Sequence, residues 1–293
     1  MRITNYALRI FTSFAAIIIL FASMNVTFAA ENLKIGAGVY QFEESSGANK
    51  NPIDVFYYRP KNWQDGDKIF VIFHGMDRNS ESFIKGLKKS ADAKNILLIC
   101  PKFTKHKFPG NTYYNYGNVK NGDKNQWTYN VANRIIDDAK KRAGASKSKI
   151  ILFGHSAGGQ FLHRYLFLAD KIKADLVIAA NAGTYLLPDE NVNYPYGFKN
   201  ISAGTKEMKR AYAQKTIILL GESDVNRTYR GFPKTPADDK QGLNRFERGK
   251  NFFNKSQKKA KELKTKFNWR LVTVPNVGHN SIKMANAALK YID

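Results

Sequence analysis

Residues Ile150-Ile151-Leu152-Phe153-Gly154-His155-Ser156-Ala157-Gly158 form an apolar run that stops abruptly at Gly-x-Ser-x-Gly, and 160–169 then reads as a helix. At a strand-to-helix junction this pattern describes a sharp turn that strains the serine backbone and lifts its hydroxyl clear of the sheet edge. Gly154 and Gly158 fall where a side chain would collide with the adjoining strand or helix. The pentapeptide alone recurs in ordinary loops. Its context, β-branched residues before and a helix after, makes Ser156 the leading candidate nucleophile.

A chain of 293 residues has room for one large α/β unit with a substantial core. Residues 1–30 stand apart: Arg2 and Arg9 precede or open an uncharged, mostly apolar stretch over 10–28, and Thr27-Phe28-Ala29-Ala30 offers small residues for cleavage. This is the layout of a secretory signal peptide, with an uncleaved membrane anchor as the alternative. The remainder, 31–293, is expected to be one exported α/β domain, periplasmic or secreted. Cys100 is the single cysteine, so no intrachain disulfide can form; after the apolar 96–99 it reads as a buried, inert thiol. The 47 Lys and Arg outweigh 24 Asp and Glu, a formal charge of +23 spread along the chain. The lysine-rich 255–266 has the spacing of a solvated helix face. The overall charge suits long-range attraction to an anionic envelope or polymer. No nucleic-acid-binding motif accompanies it.

Strand-like runs at 55–60, 69–73, 96–99, 150–153, 176–180, 217–220 and 269–274 alternate with helix-compatible stretches such as 80–94 and 127–143. That alternation predicts an α/β class with a mainly parallel central sheet flanked by helices. Two longer insertions, 181–215 and 225–250, leave what would be the carboxyl ends of strands, the side on which such sheets bind ligands. They are expected to form pocket walls or a small lid, with Tyr185, Tyr196 and Phe198 as candidate lining residues.

A serine hydroxyl needs a neighbouring base, and the base an orienting acid. Leu219-Leu220-Gly221-Glu222-Ser223-Asp224 is a strand entering an acid-bearing turn, and Val274-Pro275-Asn276-Val277-Gly278-His279 is a strand followed by a loop histidine. Asp224 would accept the Nδ1 proton of His279, leaving Nε2 to face Ser156; Glu222 is the rival acid. His155 is expected to point away from the serine and pack structurally. His74 is expected to order loop backbone, and His106 and His163 lack supporting context. The amide of Ala157, at a helix start, and that of Met76, in His74-Gly75-Met76-Asp77, are the candidate oxyanion donors. No His, Asp and Cys cluster has metal-ligand spacing, so no metal is assigned.

These motifs together resemble the α/β-hydrolase superfamily over nearly all of 31–293, and more narrowly bacterial exported esterases related to polyhydroxyalkanoate depolymerases. The residues that carry the resemblance are His74-Gly75-Met76-Asp77-Arg78-Asn79, Gly154 through Phe161, Asn244-Arg245-Phe246-Glu247-Arg248-Gly249 and Val277-Gly278-His279. The resemblance implies an α/β-hydrolase fold, the chain order serine, acid, histidine, and a serine esterase that needs no cofactor. The chain shows no separate substrate-binding domain or Thr/Ser-rich linker, which favours a soluble or oligomeric ester over an insoluble polymer. A serine peptidase of the same fold, and a non-catalytic basic protein adhering to anionic surfaces, are the competing expectations.

Overall fold

In the computed structural model the apolar runs become the strands of one eight-stranded sheet; residues 31–229 and 231–292 are described. The leader reading of 1–30 lies outside the described residues. In chain order the strands are β1 (Gly36–Phe42), β2 (Ile53–Arg59), β3 (Ile69–Phe73), β4 (Leu97–Pro101), β5 (Ile150–His155), β6 (Leu176–Ala180), β7 (Thr216–Gly221) and β8 (Trp269–Val274). Their spatial order is β1-β2-β4-β3-β5-β6-β7-β8. β2 runs antiparallel to β1 and β4, and every pairing from β4 to β8 is parallel.

Parallel strands need crossovers, and helices supply them. They are α1 (Ser80–Lys94), α2 (Gly110–Tyr113), α3 (Thr128–Ala143), α4 (Ala157–Leu168), α5 (Thr205–Ala213), α6 (Pro236–Asp239), α7 (Arg245–Glu262) and α8 (Ser281–Ala288). β3 and β5 are buried along their whole length, which is why they read as unbroken apolar runs rather than alternating ones. Successive side chains still serve opposite faces. Val71, Phe73, Leu152 and Leu220 join Phe161, Tyr165, Ile135 and Phe252 on the side of α3, α4 and α7. Phe70, Ile72, Phe153 and Leu219 join Phe83, Leu87 and Met284 on the side of α1 and α8.

β1 escaped the sequence pattern because Gly36 and Gly38 dilute its strand character. A Cβ on Gly38 would lie 2.4 Å from the Tyr57 ring of the neighbouring strand, so the ring packs over the glycine. The lysine-rich helix is α7, and it buries Phe252, Ser256 and Ala260 at four-residue spacing while Lys255, Lys258 and Lys261 face solvent. Among the described residues no helix is long and apolar enough to cross a membrane.

Candidate active site

Ser156 sits between β5 and α4 with φ 59° and ψ −114°, a backbone that non-glycine residues rarely adopt. The flanking glycines permit it. A Cβ on Gly158 would stand 1.9 Å from the Phe73 carbonyl oxygen, and one on Gly154 2.2 Å from the Gly158 carbonyl oxygen. The Ser156 amide donates to the Ala180 carbonyl at 3.0 Å, fastening the turn to β6.

Two loops from the same edge of the sheet meet the serine hydroxyl. His279, in the loop after β8, lies with Nε2 3.0 Å from Ser156 Oγ. Its Nδ1 is 2.7 Å from Asp224 Oδ2, in the turn after β7. The two loops brace each other: the Ser223 amide donates to the Val277 carbonyl at 3.0 Å, an approach that a Cβ on Gly221 would block at 2.4 Å. Asn181, just past β6, ties both together. It accepts from the Gly221 amide at 2.8 Å and donates to the Gly278 carbonyl at 3.3 Å. Sequence reasoning missed Asn181, whose signal would have been a lone Asn following a buried strand.

Glu222 turns away, its carboxylate accepting from Thr273 Oγ1 at 2.7 Å on the exposed side of β8. Asp224 is 2% exposed and has a second partner, Arg245 Nη1, 3.3 Å from Oδ1. Burial pushes the His279 pKa below its ordinary value; Asp224 opposes that shift and Arg245 reinforces it. The imidazole is therefore neutral near pH 7, with one nitrogen on the carboxylate and one on the hydroxyl.

A cavity of about 280 Å³ opens over Ser156 and His279, lined also by Gly75, Met76, Tyr229 and Arg245. Met76 is a half-exposed wall residue, and its amide has no backbone partner among the described residues. Ala157 is the first residue of α4, so no intrahelical carbonyl can reach its amide.

The structure corrects the expected lining. Tyr185, Tyr196 and Phe198 do not line this cavity. Tyr185 is buried, stacked on Phe252 at 4.6 Å; Phe198 packs edge-on against Phe167; and the Tyr196 hydroxyl donates to Asp238. Segment 181–215 lies back over α4, where Thr184 donates to Gln160, the Leu186 amide to His163 and Arg164 to the Pro195 carbonyl. Of the two insertions only 225–250 reaches the cavity, through Tyr229, Gly231 and Arg245, and residues of 75–83 line the facing side. His155 packs as expected: it is buried, its ring centroid 4.5 Å from that of His279 at the border of the cavity. Burial keeps it neutral. His74 orders backbone as expected, accepting from the Phe103 amide at 3.0 Å, and burial brings its pKa down to about 3. His163 bridges the Gly159 carbonyl and the Leu186 amide, while His106 is exposed. No group of three or more His, Cys, Asp or Glu among the described residues has metal-binding geometry.

No protein-family model matches the chain. Solved structures do. Poly(aspartic acid) hydrolase-1 from Sphingomonas sp. KT-1 is 30% identical over 89% of this chain and 99% of its own, with a TM-score of 0.82. The chain belongs to the α/β-hydrolase superfamily. This hydrolase is also similar to LpqC, a poly(3-hydroxybutyrate) depolymerase from Bordetella parapertussis, at 27% identity over 88% of this chain and 89% of that one, again with a TM-score of 0.82. The curated bifunctional acetylxylan esterase/xylanase XynS20E of Neocallimastix patriciarum matches at 25% over 139 residues, 46% of this chain; the hydrolase spans 19% of that protein's length. The protein is thus an enzyme of the esterase and depolymerase kind.

Proposed function

We propose that this hydrolase cleaves carboxylic ester bonds through an acyl-enzyme, with Ser156 as nucleophile, His279 as general base and acid, and Asp224 as the orienting carboxylate. The reading is carried by the unbroken hydrogen-bond chain from Asp224 through His279 to Ser156, at 2.7 and 3.0 Å. Neutral Nε2 takes the hydroxyl proton as Oγ attacks the carbonyl carbon, and the imidazolium that forms is held by Asp224. The Ala157 and Met76 amides would receive the developing oxyanion, one from the positive end of α4 and one from the Gly75 loop. His279 then returns the proton to the leaving alcohol. Water repeats the sequence to release the acid. No step calls for a metal or cofactor.

The enzyme is proposed to act outside the cytoplasm, on an oligomeric or polymeric substrate that carries negative charge. Two observations support the charged substrate: the formal +23 of the chain and the similarity to a hydrolase of poly(aspartic acid), a polyanion. Attachment to an anionic envelope would follow from the same field. Binding to anionic vesicles or soluble polyanions is expected to weaken steeply with salt; salt-insensitive binding would remove the electrostatic account.

Fluorophosphonate labelling followed by peptide mapping tests the chemistry directly. Rapid modification at Ser156, absent in Ser156→Ala, is expected. A folded, unlabelled enzyme, or ester hydrolysis that survives Ser156→Ala, overturns the assignment. A panel of esters and amides bearing matched acyl groups then distinguishes esterase from peptidase action.

A further inference from the structure

Asp224 divides its carboxylate between two partners. Oδ2 accepts from His279, and Oδ1 faces Arg245 Nη1 at 3.3 Å, with both side chains of that ion pair no more than 3% exposed. The guanidinium carbon lies 4.8 Å from the Phe232 ring centroid and 5.1 Å from that of Tyr229. The other deeply buried arginines serve the backbone. Arg248 donates to the carbonyls of Gly242, Gly183 and Pro233; Arg78 donates to those of Phe103, Phe108 and Gly110; and Arg164 to those of Gln160 and Pro195. Among the described residues Arg245 ties down no carbonyl. Among the described residues its one hydrogen bond goes to Asp224, and its buried Nε, like those of Arg78 and Arg164, has no partner there. A cation placed only to staple loops would use main-chain acceptors, and each of the other three holds at least two, Arg248 pairing with Asp239 besides.

We infer that Arg245 is a positioning residue for the reaction: it fixes the Asp224 carboxylate with one oxygen on His279, and its charge keeps the Asp224–His279 pair from taking up a proton as the pH falls. The inference rests on the serine-triad reading. The groups that face His279 are Asp224, Arg245, the neutral His155, the edge of Tyr229 and Asp77 across the cavity. The two carboxylates favour an imidazolium, and among the described residues Arg245 is the cation that opposes them. Without that opposition a buried carboxylate would hold the base protonated, hence inactive, at higher pH.

The sign follows. Removing the positive charge raises the apparent pKa of the pair, so the acid limb of the rate profile moves to higher pH. The readout is the pH dependence of the fluorophosphonate labelling rate at Ser156, which needs no knowledge of the natural substrate. Arg245→Met is expected to shift the acid limb upward by on the order of one pH unit. Arg245→Lys, which keeps the charge, is expected to hold it near the wild-type position even if the plateau falls. Where Arg245→Met does not fold, Arg245→Gln carries the same test, since it retains a donor and loses the charge. An acid limb unmoved in the neutral variant overturns the inference, and so does a lysine variant that shifts as far as the neutral one. Wild-type enzyme that is not labelled at Ser156 overturns the triad reading instead.

Discussion

At Ser156 the backbone adopts φ 59° and ψ −114°, and the hydroxyl lies 3.0 Å from His279 Nε2. Such a conformation costs a side-chain-bearing residue on the order of 1 kcal/mol or more, a strain that glycine does not feel. Ser156→Gly is therefore expected to raise stability by roughly 1 kcal/mol while abolishing hydrolysis, measured by thermal melting beside the labelling assay. A melting temperature below wild type would mean the turn is not strained. His279 supplies a second expectation. Its pKa is held below the ordinary value, and the neutral form is the base, so activity should persist on acidification past about pH 6.5 and fall only lower. An acid limb centred above that value would contradict the geometry. Ser156 and His279 were legible as residues. The place of Arg245 beside Asp224 was not, because nothing in a contiguous stretch says which buried group lies beside a given carboxylate.

Helix α7 delivers Arg245 and Arg248 from its first turn, and Asn244 caps it by accepting from the Glu247 amide at 2.9 Å. Asn244→Ala is expected to cost about 1 kcal/mol through the lost cap. It should also slow Ser156 labelling, since fraying here loosens the partner of Asp224; a stability loss with unchanged labelling would separate the helix end from the site. Helix α4 carries the opposite role, a rigid base beneath the nucleophile. Phe161 meets Phe73, Tyr129, Phe103 and Tyr114 with ring centroids 4.7–5.9 Å apart. Phe161→Ala should cost about 3–5 kcal/mol, read from denaturant midpoints. Elements of this kind were visible in the sequence wherever burial imposed a period or an unbroken apolar run. Both insertions were visible too, but not which of them reaches the cavity, since the aromatics of 181–215 look the same in a list whether they wall a cavity or, as Tyr185 does, fill the space behind a helix.

Over the whole molecule two charge effects act together. The formal +23 makes the folded state repel itself, and added salt should raise the melting temperature while weakening adhesion to polyanions. Acid adds to the repulsion. His74, His155 and His163 are buried with pKa values pushed down by burial, so they stay neutral in the fold while the unfolded chain binds protons below about pH 6.5. Above that pH their contribution is fully present. Below it, stability should decline by about 1.4 kcal/mol per pH unit for each such histidine, down to about pH 3 for His74. Melting temperatures flat from pH 7 to 4 would count against these assignments.

The sequence by itself determined the alternation of strands and helices, the turn at Ser156 and the order serine, acid, histidine. Each of these is written in contiguous residues by apolar runs, glycines and local backbone stereochemistry. Tertiary structure decided that Asp224 rather than Glu222 meets His279, that Arg245 backs the carboxylate and that of the two insertions 225–250, not 181–215, reaches the cavity. Those contacts join side chains from separate loops, Ser156 and His279 being 123 residues apart. Which of several similar groups arrives at one point depends on how eight strands stack and where their connections can be buried, and no local pattern records that.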